Sequence, residues 1–332
     1  MSWRRNSAAA CALWAAAGAL AESLQEQRAA LLGGLQRAHG LDAGQVAAIQ
    51  DIFAGSDVLG QGNPAPTRHP ATPQQCRDQL RRDGVSYEDA AFEAICGDRY
   101  MVPLYDPQAA GPQDARVCID RFEFPNIPCE YPVVWVRARE AAQLCAAVGK
   151  RLCDAHEWEG ACAGRLLPPD YPFERVADMP AAQAIEAMRE PHNQRWSAAP
   201  RWSYGSAPTA GQCATGSTKS EGCNGADWQR CGSNTYPGGM FPACSNALGA
   251  LDLHGNAAEH MNLPTRAADM ASAGGGALGH TEMKGSWFIW DAVPAHPDWC
   301  RWRAPYWHGS PVMSEDSHRN YHLGFRCCKS LP

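Results

Sequence analysis

The sequence predicts an irregular, disulfide-rich α+β domain preceded by an N-terminal helical hairpin. Three observations point there. Strand-like runs are short and broken by turns, with 31 Gly and 25 Pro in 332 residues. Two short helices with their ends written into the sequence occupy Tyr131–Gly164. The 15 cysteines contain no C-x-x-C pair, which argues against a zinc ribbon and for disulfides formed in an oxidising compartment.

The chain opens with Arg4 and Arg5, an Ala-rich apolar run Ser7–Leu20, and Ala19-Leu20-Ala21. This is the form of a secretory signal over residues 1–21, with a small-residue cleavage site. Cys11 lies inside it, so 14 cysteines remain, and loss of two Arg moves the net charge from −6 to −8. A secreted or periplasmic location follows. Only 19% of residues are charged and there is no basic run, which argues against nucleic acid as a partner. No apolar run reaches the ~18 residues of a membrane span.

Residues 22–56 read as a helical hairpin: Leu24, Leu31, Leu32 and Leu35 recur at helical spacing, and Gly40 separates the two arms. Residues 57–114 read as linker and small segment. Gly60–Thr72 is rich in Gly and Pro, Cys76 and Cys96 are candidates to pair with each other, and Asp106–Asp114 is a second joint. The main domain is expected over 115–332. It starts with the strand-like Val117–Phe124, and Cys118 and Cys129 flank a Pro-containing turn they are placed to close.

In Tyr131–Gly164, Ala141, Leu144, Cys145 and Val148 make one apolar helix face, and Gly149 stops the helix. Asp154 opens the next helix with Glu157 three residues on, a capping-box spacing, and Trp158 is its apolar anchor. A long insertion, Arg165–Gly211, holds one helix over Ala181–Glu190 between Pro180 and Pro191. Cys213, Cys223, Cys231 and Cys244 staple the loops that follow. Gly274, Gly276 and Gly279 spell G-x-G-x-x-G without a strand before or a helix after, so no nucleotide site is read there. His156-Glu157 lacks the second His of a zincin motif, and no G-x-S-x-G elbow occurs.

Four stretches, in order, carry a resemblance. They are the Cys145 helix with GKRL and the capped EWE helix, LDLHGNAAEH at Leu251–His260, KGSW at Lys284–Trp287, and LGFRC at Leu323–Cys327. Together they resemble the formylglycine-generating enzyme, or sulfatase-modifying factor, family over roughly residues 115–329. The resemblance implies a variant of the C-type lectin fold, with disulfides Cys145–Cys327 and Cys162–Cys300. The vicinal Cys328 is then expected to pair with Cys153 rather than to serve as a redox pair with Cys327. The family's oxidase converts a sulfatase cysteine to formylglycine using copper on two reactive thiols, soft ligands that suit Cu(I).

Counting back from Cys300 by the family's spacing lands on Ala295 and Trp290, where thiols are expected and absent. Cys300 is the only cysteine between Cys244 and Cys327, so the copper dithiol is missing. His260 stands in place of the family's Trp after GNxxE.

The resemblance also implies structural calcium, with Glu259 and the Gly255–Ala257 turn, including Asn256, supplying oxygen ligands and Asn224 a second site. The candidate groove comprises Ser286, Trp290, His260, Cys300, His318 and His322, with Trp287, Trp299, Trp302, Tyr306 and Trp307 as further aromatic candidates. His296, His308, His318 and His322, with Glu315 and Asp316, suit non-haem iron or copper, and the spacing of His318 and His322 would place both on one helical face.

Three functions are therefore in play. The first is an exported, non-oxidase module that binds a peptide, a glycan or a partner protein. The second is an oxidoreductase of the same fold using a His/carboxylate metal. The third is a true formylglycine-generating oxidase.

Overall fold

The computed structural model describes residues 23–225, 227–274, 276–306 and 309–332. The signal-like residues 1–21 and the candidates Trp307 and His308 lie outside these. Among the described residues no helix is long and apolar enough to cross a membrane.

Two helices open the chain: α1 (Leu24–His39), capped by Ser23 and Glu26, and α2 (Ala43–Ala54), capped by Asp42 and Gln45. Gly40 takes the left-handed conformation that ends α1. Their apolar faces enter a core rather than forming a body of their own. Leu31, Leu35, Ile49 and Phe53 pack with Phe124, Val136, Leu144 and Phe325 of the main domain.

The segment expected to be a linker is built in as well. The Asn63 amide donates to the Trp228 carbonyl at 2.8 Å, and His69 donates to the Thr235 carbonyl at 2.8 Å. The His69 ring also stacks on Tyr131 at 3.5 Å. Gly60–Thr72 is thus a strap across the domain, because these side chains find buried acceptors along its course.

Two small sheets follow. One runs β1 (Met101–Leu104), β2 (Val117–Asp120), β7 (Cys327–Ser330), β3 (Arg151–Leu152), all antiparallel. The other is β5 (His280–Lys284), β4 (Ala258–Leu263), β6 (Leu323–Phe325), with β4 antiparallel to β5 and parallel to β6. The joint expected at Asp106–Asp114 connects β1 to β2, neighbours in one sheet, so the chain before 115 contributes a strand to the domain.

Between the paired strands and the cysteine-bearing turns lie α3 (Pro73–Arg82) and α4 (Ala90–Cys96). Cys76 bonds Cys129, and Cys96 bonds Cys118. Neither the Cys76–Cys96 nor the Cys118–Cys129 pairing occurs. The reason is docking: α4 brings Cys96 into one buried cluster with Met101 and Cys118, while Cys76 of α3 packs with Phe122 and Cys129.

The helices of Tyr131–Gly164 are α5 (Ala138–Ala147) and α6 (Ala155–Ala163). Glu157 accepts the Asp154 amide at 2.9 Å and a two-point contact from Arg151. Cys145 bonds Cys327, Cys153 bonds Cys328 and Cys162 bonds Cys300. In the later loops Cys213 bonds Cys244 and Cys223 bonds Cys231.

The insertion holds a short helix α7 (Phe173–Val176) and then α8 (Ala181–Ser197), which runs through Pro191 instead of ending before it. Contacts beyond the proline offset the lost backbone bond. His192 meets the Asp170 carboxylate at 2.8 Å and the Arg301 carbonyl at 2.6 Å, and Asn193 donates to the Arg303 carbonyl at 3.0 Å. Beneath them Glu159 is wholly buried against Lys284 and Arg303, at 2.8 and 3.1 Å. Burial alone would raise the Glu159 carboxyl; Arg303 and Lys284 outweigh it and hold it well below the usual range.

One residue joins the two sheets. Arg326 sits between β6 and β7, fully buried. Its guanidinium grips Glu259 of β4 with two bonds of 2.7 Å and also donates to the carbonyls of Asp120, Arg121 and Leu251. Trp158 Nε1 completes the Glu259 shell at 3.0 Å. Gly324, two residues earlier, is required by a close approach: a Cβ there would lie 2.8 Å from the Val133 carbonyl.

Truncating one partner of a buried, bonded ion pair leaves an uncompensated charge, at about 3–5 kcal/mol. Arg326→Met should therefore lower unfolding stability by about that amount, and Arg326→Lys should recover little because it has no two-pronged fork. Urea denaturation measures this, and an unchanged midpoint in Arg326→Met would contradict the role. His69 gives a pH prediction. Burial pushes its imidazole down to about 4 from 6.5, so the unfolded chain takes up a proton between those values while the folded chain does not. Stability is full above pH 6.5 and falls as pH drops toward 4. This residue should account for about 2 kcal/mol lost between pH 7 and pH 5, and His69→Gln should flatten that slope in urea titrations at the two pH values.

Candidate functional site

Three of the six candidate groove residues, Ser286, His318 and His322, line a cleft of about 290 Å³. It opens between β4, the end of β5, the loop that leaves β5, and residues 318–322 before β6. Gly285 turns the chain out of β5 with φ 76°, a conformation that favours glycine. Ser286 and Trp287 follow directly into the lining, joined by Ala295, His296, Trp302, His318 and His322.

The lining is aromatic and imidazole-rich. His296 stacks on Trp302 at 4.5 Å with the rings nearly parallel, and His322 meets Trp287 edge-on at 4.1 Å. Trp290 is buried behind this wall, 5.0 Å from the His296 ring. His322 Nδ1 and Trp287 Nε1 are buried without hydrogen-bond partners. Burial pushes His322 down to about 3 and lowers His296 and His318, so the imidazoles facing the cleft are neutral at pH 7.

Besides Trp290, two more candidates are not in the lining. His260 is buried on β4 and donates to the Val136 carbonyl at 3.1 Å, with burial pushing it down to about 4. Cys300 is bonded to Cys162 and lines a different cavity, beside Trp196 and Trp299. Ala295, one of the two positions where a copper thiol is expected, does face the cleft. The residue set therefore does not fit a dithiol copper centre.

Nor do the carboxylates join the histidines. The residues from His318 to His322 form no helix, and Glu315 pairs with Arg139 at 2.8 Å at an exposed position. Among the described residues, the only trio of His, Cys, Asp or Glu donors that converges is Cys153, Glu157 and Cys328, and its two sulfurs are bonded to each other.

The residues carried over for calcium are already committed. Both Glu259 oxygens accept from Arg326, and a ligand held by a guanidinium is electrostatically unsuited to a second cation. Asn256 is fully buried, accepting from the Tyr236 amide at 2.8 Å and donating to Glu123 at 2.7 Å. Asn224 lies exposed on a 3₁₀ turn stapled by Cys223–Cys231. These residues do not fit a calcium ion at Glu259.

A Ser, His and Asp that sequence reasoning did not group meet where Ser286 enters the lining, with His254 and Asp298 buried behind it. The Ser286 hydroxyl is 3.1 Å from His254 Nδ1, and Asp298 Oδ2 is 2.6 Å from that same nitrogen. A nucleophilic triad needs the serine and the carboxylate on opposite ring nitrogens. Here both face Nδ1, and Ser286 also accepts the Gly255 amide at 2.9 Å. The group fixes the wall rather than activating the hydroxyl. Positions 254, 286 and 298 share no periodicity, so no local signal would have found it. Met283 and Asn320 also line the cleft, and they too carry no mark in the sequence.

Comparison with known proteins places these observations. The crystal structure of CarF aligns with 70% of this chain and 96% of its own, at 12% identity and a TM-score of 0.31, too distant to bear on function. No curated protein matches. The sulfatase-modifying factor enzyme 1-like domain matches residues 115–331. With two sheets joined through Glu259 and Arg326, seven disulfides and a family match over most of its length, the chain belongs to the sulfatase-modifying factor family.

Proposed function

We propose that the protein is an exported, non-oxidase member of its family that binds a ligand in the aromatic cleft. The observation that carries this reading is the fate of Cys300. The one cysteine in the region of the family's copper thiols is closed in a disulfide and faces another cavity. What faces the cleft instead is flat rings and neutral imidazoles. Such a lining stacks apolar faces and donates or accepts single hydrogen bonds. A space of about 290 Å³ receives one ring-sized group. A peptide's aromatic side chain suits it best, because it can pack against the Trp287 and Trp302 rings while the accessible polar side chains of His318 and Asn320 pair with that peptide's backbone. Seven disulfides and the signal-like N-terminus support a secreted or periplasmic setting.

A second reading rests on His296, His318 and His322 sharing the lining. An oxidoreductase with an imidazole-held iron or copper would use them. Metal analysis of the purified protein separates the two readings: the binding reading predicts neither metal at stoichiometric level.

The test uses tryptophan fluorescence and heteronuclear NMR with N-acetyl-phenylalaninamide, N-acetyl-alaninamide and glucose as probes. The aromatic amide should bind, with shifts confined to Trp287, Trp302 and the cleft histidines. Trp302→Ala should weaken it about tenfold or more, since a stacked aromatic contact is worth ~1 kcal/mol or above beyond its buried area. Equal binding of the alanine amide, or unchanged affinity in Trp302→Ala, would remove the proposal. Incubated with Cu(I), oxygen and a cysteine-containing peptide, the protein should yield no aldehyde.

A further inference from the structure

Beside the Cys162–Cys300 bond lie two adjoining cavities, of about 340 and 150 Å³. They share Ala163, Trp196, Arg201 and Arg301; Arg165 lines the larger, and Trp299 and Cys300 the smaller. No Asp or Glu lines either cavity. Three arginines around one opening stand out in a chain whose net charge is −6.

The walls are held firmly. Cys300 ties the 299–303 segment to the end of α6, and its amide donates to the Arg201 carbonyl at 2.7 Å. Arg165 is fixed by two bonds to Asp106 at 2.7 and 3.0 Å. Arg301 lies over the Trp196 ring at 4.4 Å, and one of its nitrogens donates to the Arg165 carbonyl at 3.1 Å. Its other terminal nitrogen faces Glu159 at 3.9 Å, beyond hydrogen-bond reach.

Arg201 is exposed, and no hydrogen bond or ion pair involves its guanidinium among the described residues. Trp196 is already covered by Arg301 and Arg195, the latter at 4.9 Å, so it orients cations rather than stacking on a ligand. Trp299 is half-buried in the smaller cavity and supplies the apolar wall.

From this arrangement we infer a second binding site, for a saccharide bearing a carboxylate or sulfate group. Arg201 presents a free guanidinium fork whose planar geometry matches a carboxylate or a sulfate, and Arg301, held by the Arg165 carbonyl and Trp196, adds its positive charge beside it. Gln108 adds a neutral hydrogen-bonding side chain to the larger cavity. That cavity is sized for a sugar ring, and its lining mixes polar and apolar groups as a ring with hydroxyls requires. Trp196 and Arg201 belong to the insertion at Arg165–Gly211, so that insertion supplies part of the site. It is separate from the aromatic cleft and does not depend on what that cleft binds.

Isothermal titration of the disulfide-intact protein tests this with glucuronate, glucose 6-sulfate, glucose, inorganic sulfate and a triglutamate peptide. Glucuronate or glucose 6-sulfate should bind, and glucose at least tenfold more weakly. Arg201→Ala, at an exposed position that leaves the fold intact by circular dichroism, should lose tenfold or more in affinity for the anionic sugar, and Arg201→Lys should recover part of it. The inference is overturned if glucose binds equally, if Arg201→Ala changes nothing, or if inorganic sulfate or triglutamate binds as tightly as the sugar acids.

Discussion

Everything in this domain hangs on one buried ion pair. Arg326 and Glu259 come from the last and the second of the four family-like stretches, LGFRC and LDLHGNAAEH, and their two-point contact couples the sheet containing β4 to the one containing β7. Desolvating a guanidinium and a carboxylate is costly, and the pair is stable only because every remaining donor and acceptor is used. Arg326 reaches three backbone carbonyls, and Glu259 takes the Trp158 indole as well. The carbonyls belong to β2, the residue after it and the loop before β4, so the pair fixes their relative positions too. Its functional consequence is negative but decisive: a carboxylate committed to an internal cation cannot also coordinate one.

With that frame fixed, the family's reactive region is free to change. Ala295 and buried Trp290 stand where the family's spacing leads one to expect two thiols, and Cys300 is spent on a covalent strut. The domain thus carries two surfaces of different chemistry that share no lining residue. One is lined with neutral imidazoles and indoles, the other with arginines. Glu159 lies behind the second surface, buried against Lys284 and Arg303, and the same network anchors α8 of the insertion through Asp170 and His192. The insertion is therefore rigidly mounted rather than loosely appended, as a binding wall requires.

The fold was legible in the sequence where local chemistry decides it. Capping residues at Asp154 and Gly149, the apolar face of α5, and four ordered motifs were enough for the family and its α+β character. What misled was chemistry settled only by distant contacts. Gly60–Thr72 has linker composition, yet His69 and Asn63 find acceptors more than a hundred residues away. Pro191 looks like a helix stop, but buried partners of His192 and Asn193 carry α8 past it. Cys76 and Cys96 are near in sequence, while their helices dock on different parts of the domain. Glu259 reads as a metal ligand because its partner, Arg326, lies 67 residues on. In the cleft, Ser286, His318 and His322 are brought together, but His260 and Cys300 point elsewhere, because strand pairing and one disulfide decide where those side chains face.

The measurement that bears most directly on the claim that this family member has given up the copper dithiol is a thiol count. Intact mass of the native mature protein is compared with and without an alkylating reagent, alongside copper content. All fourteen cysteines of the described chain are paired in seven disulfides. The mass should therefore not change on alkylation, and copper should be absent at stoichiometric level. Two alkylated cysteines together with one equivalent of Cu(I) would show an oxidase centre and contradict the account.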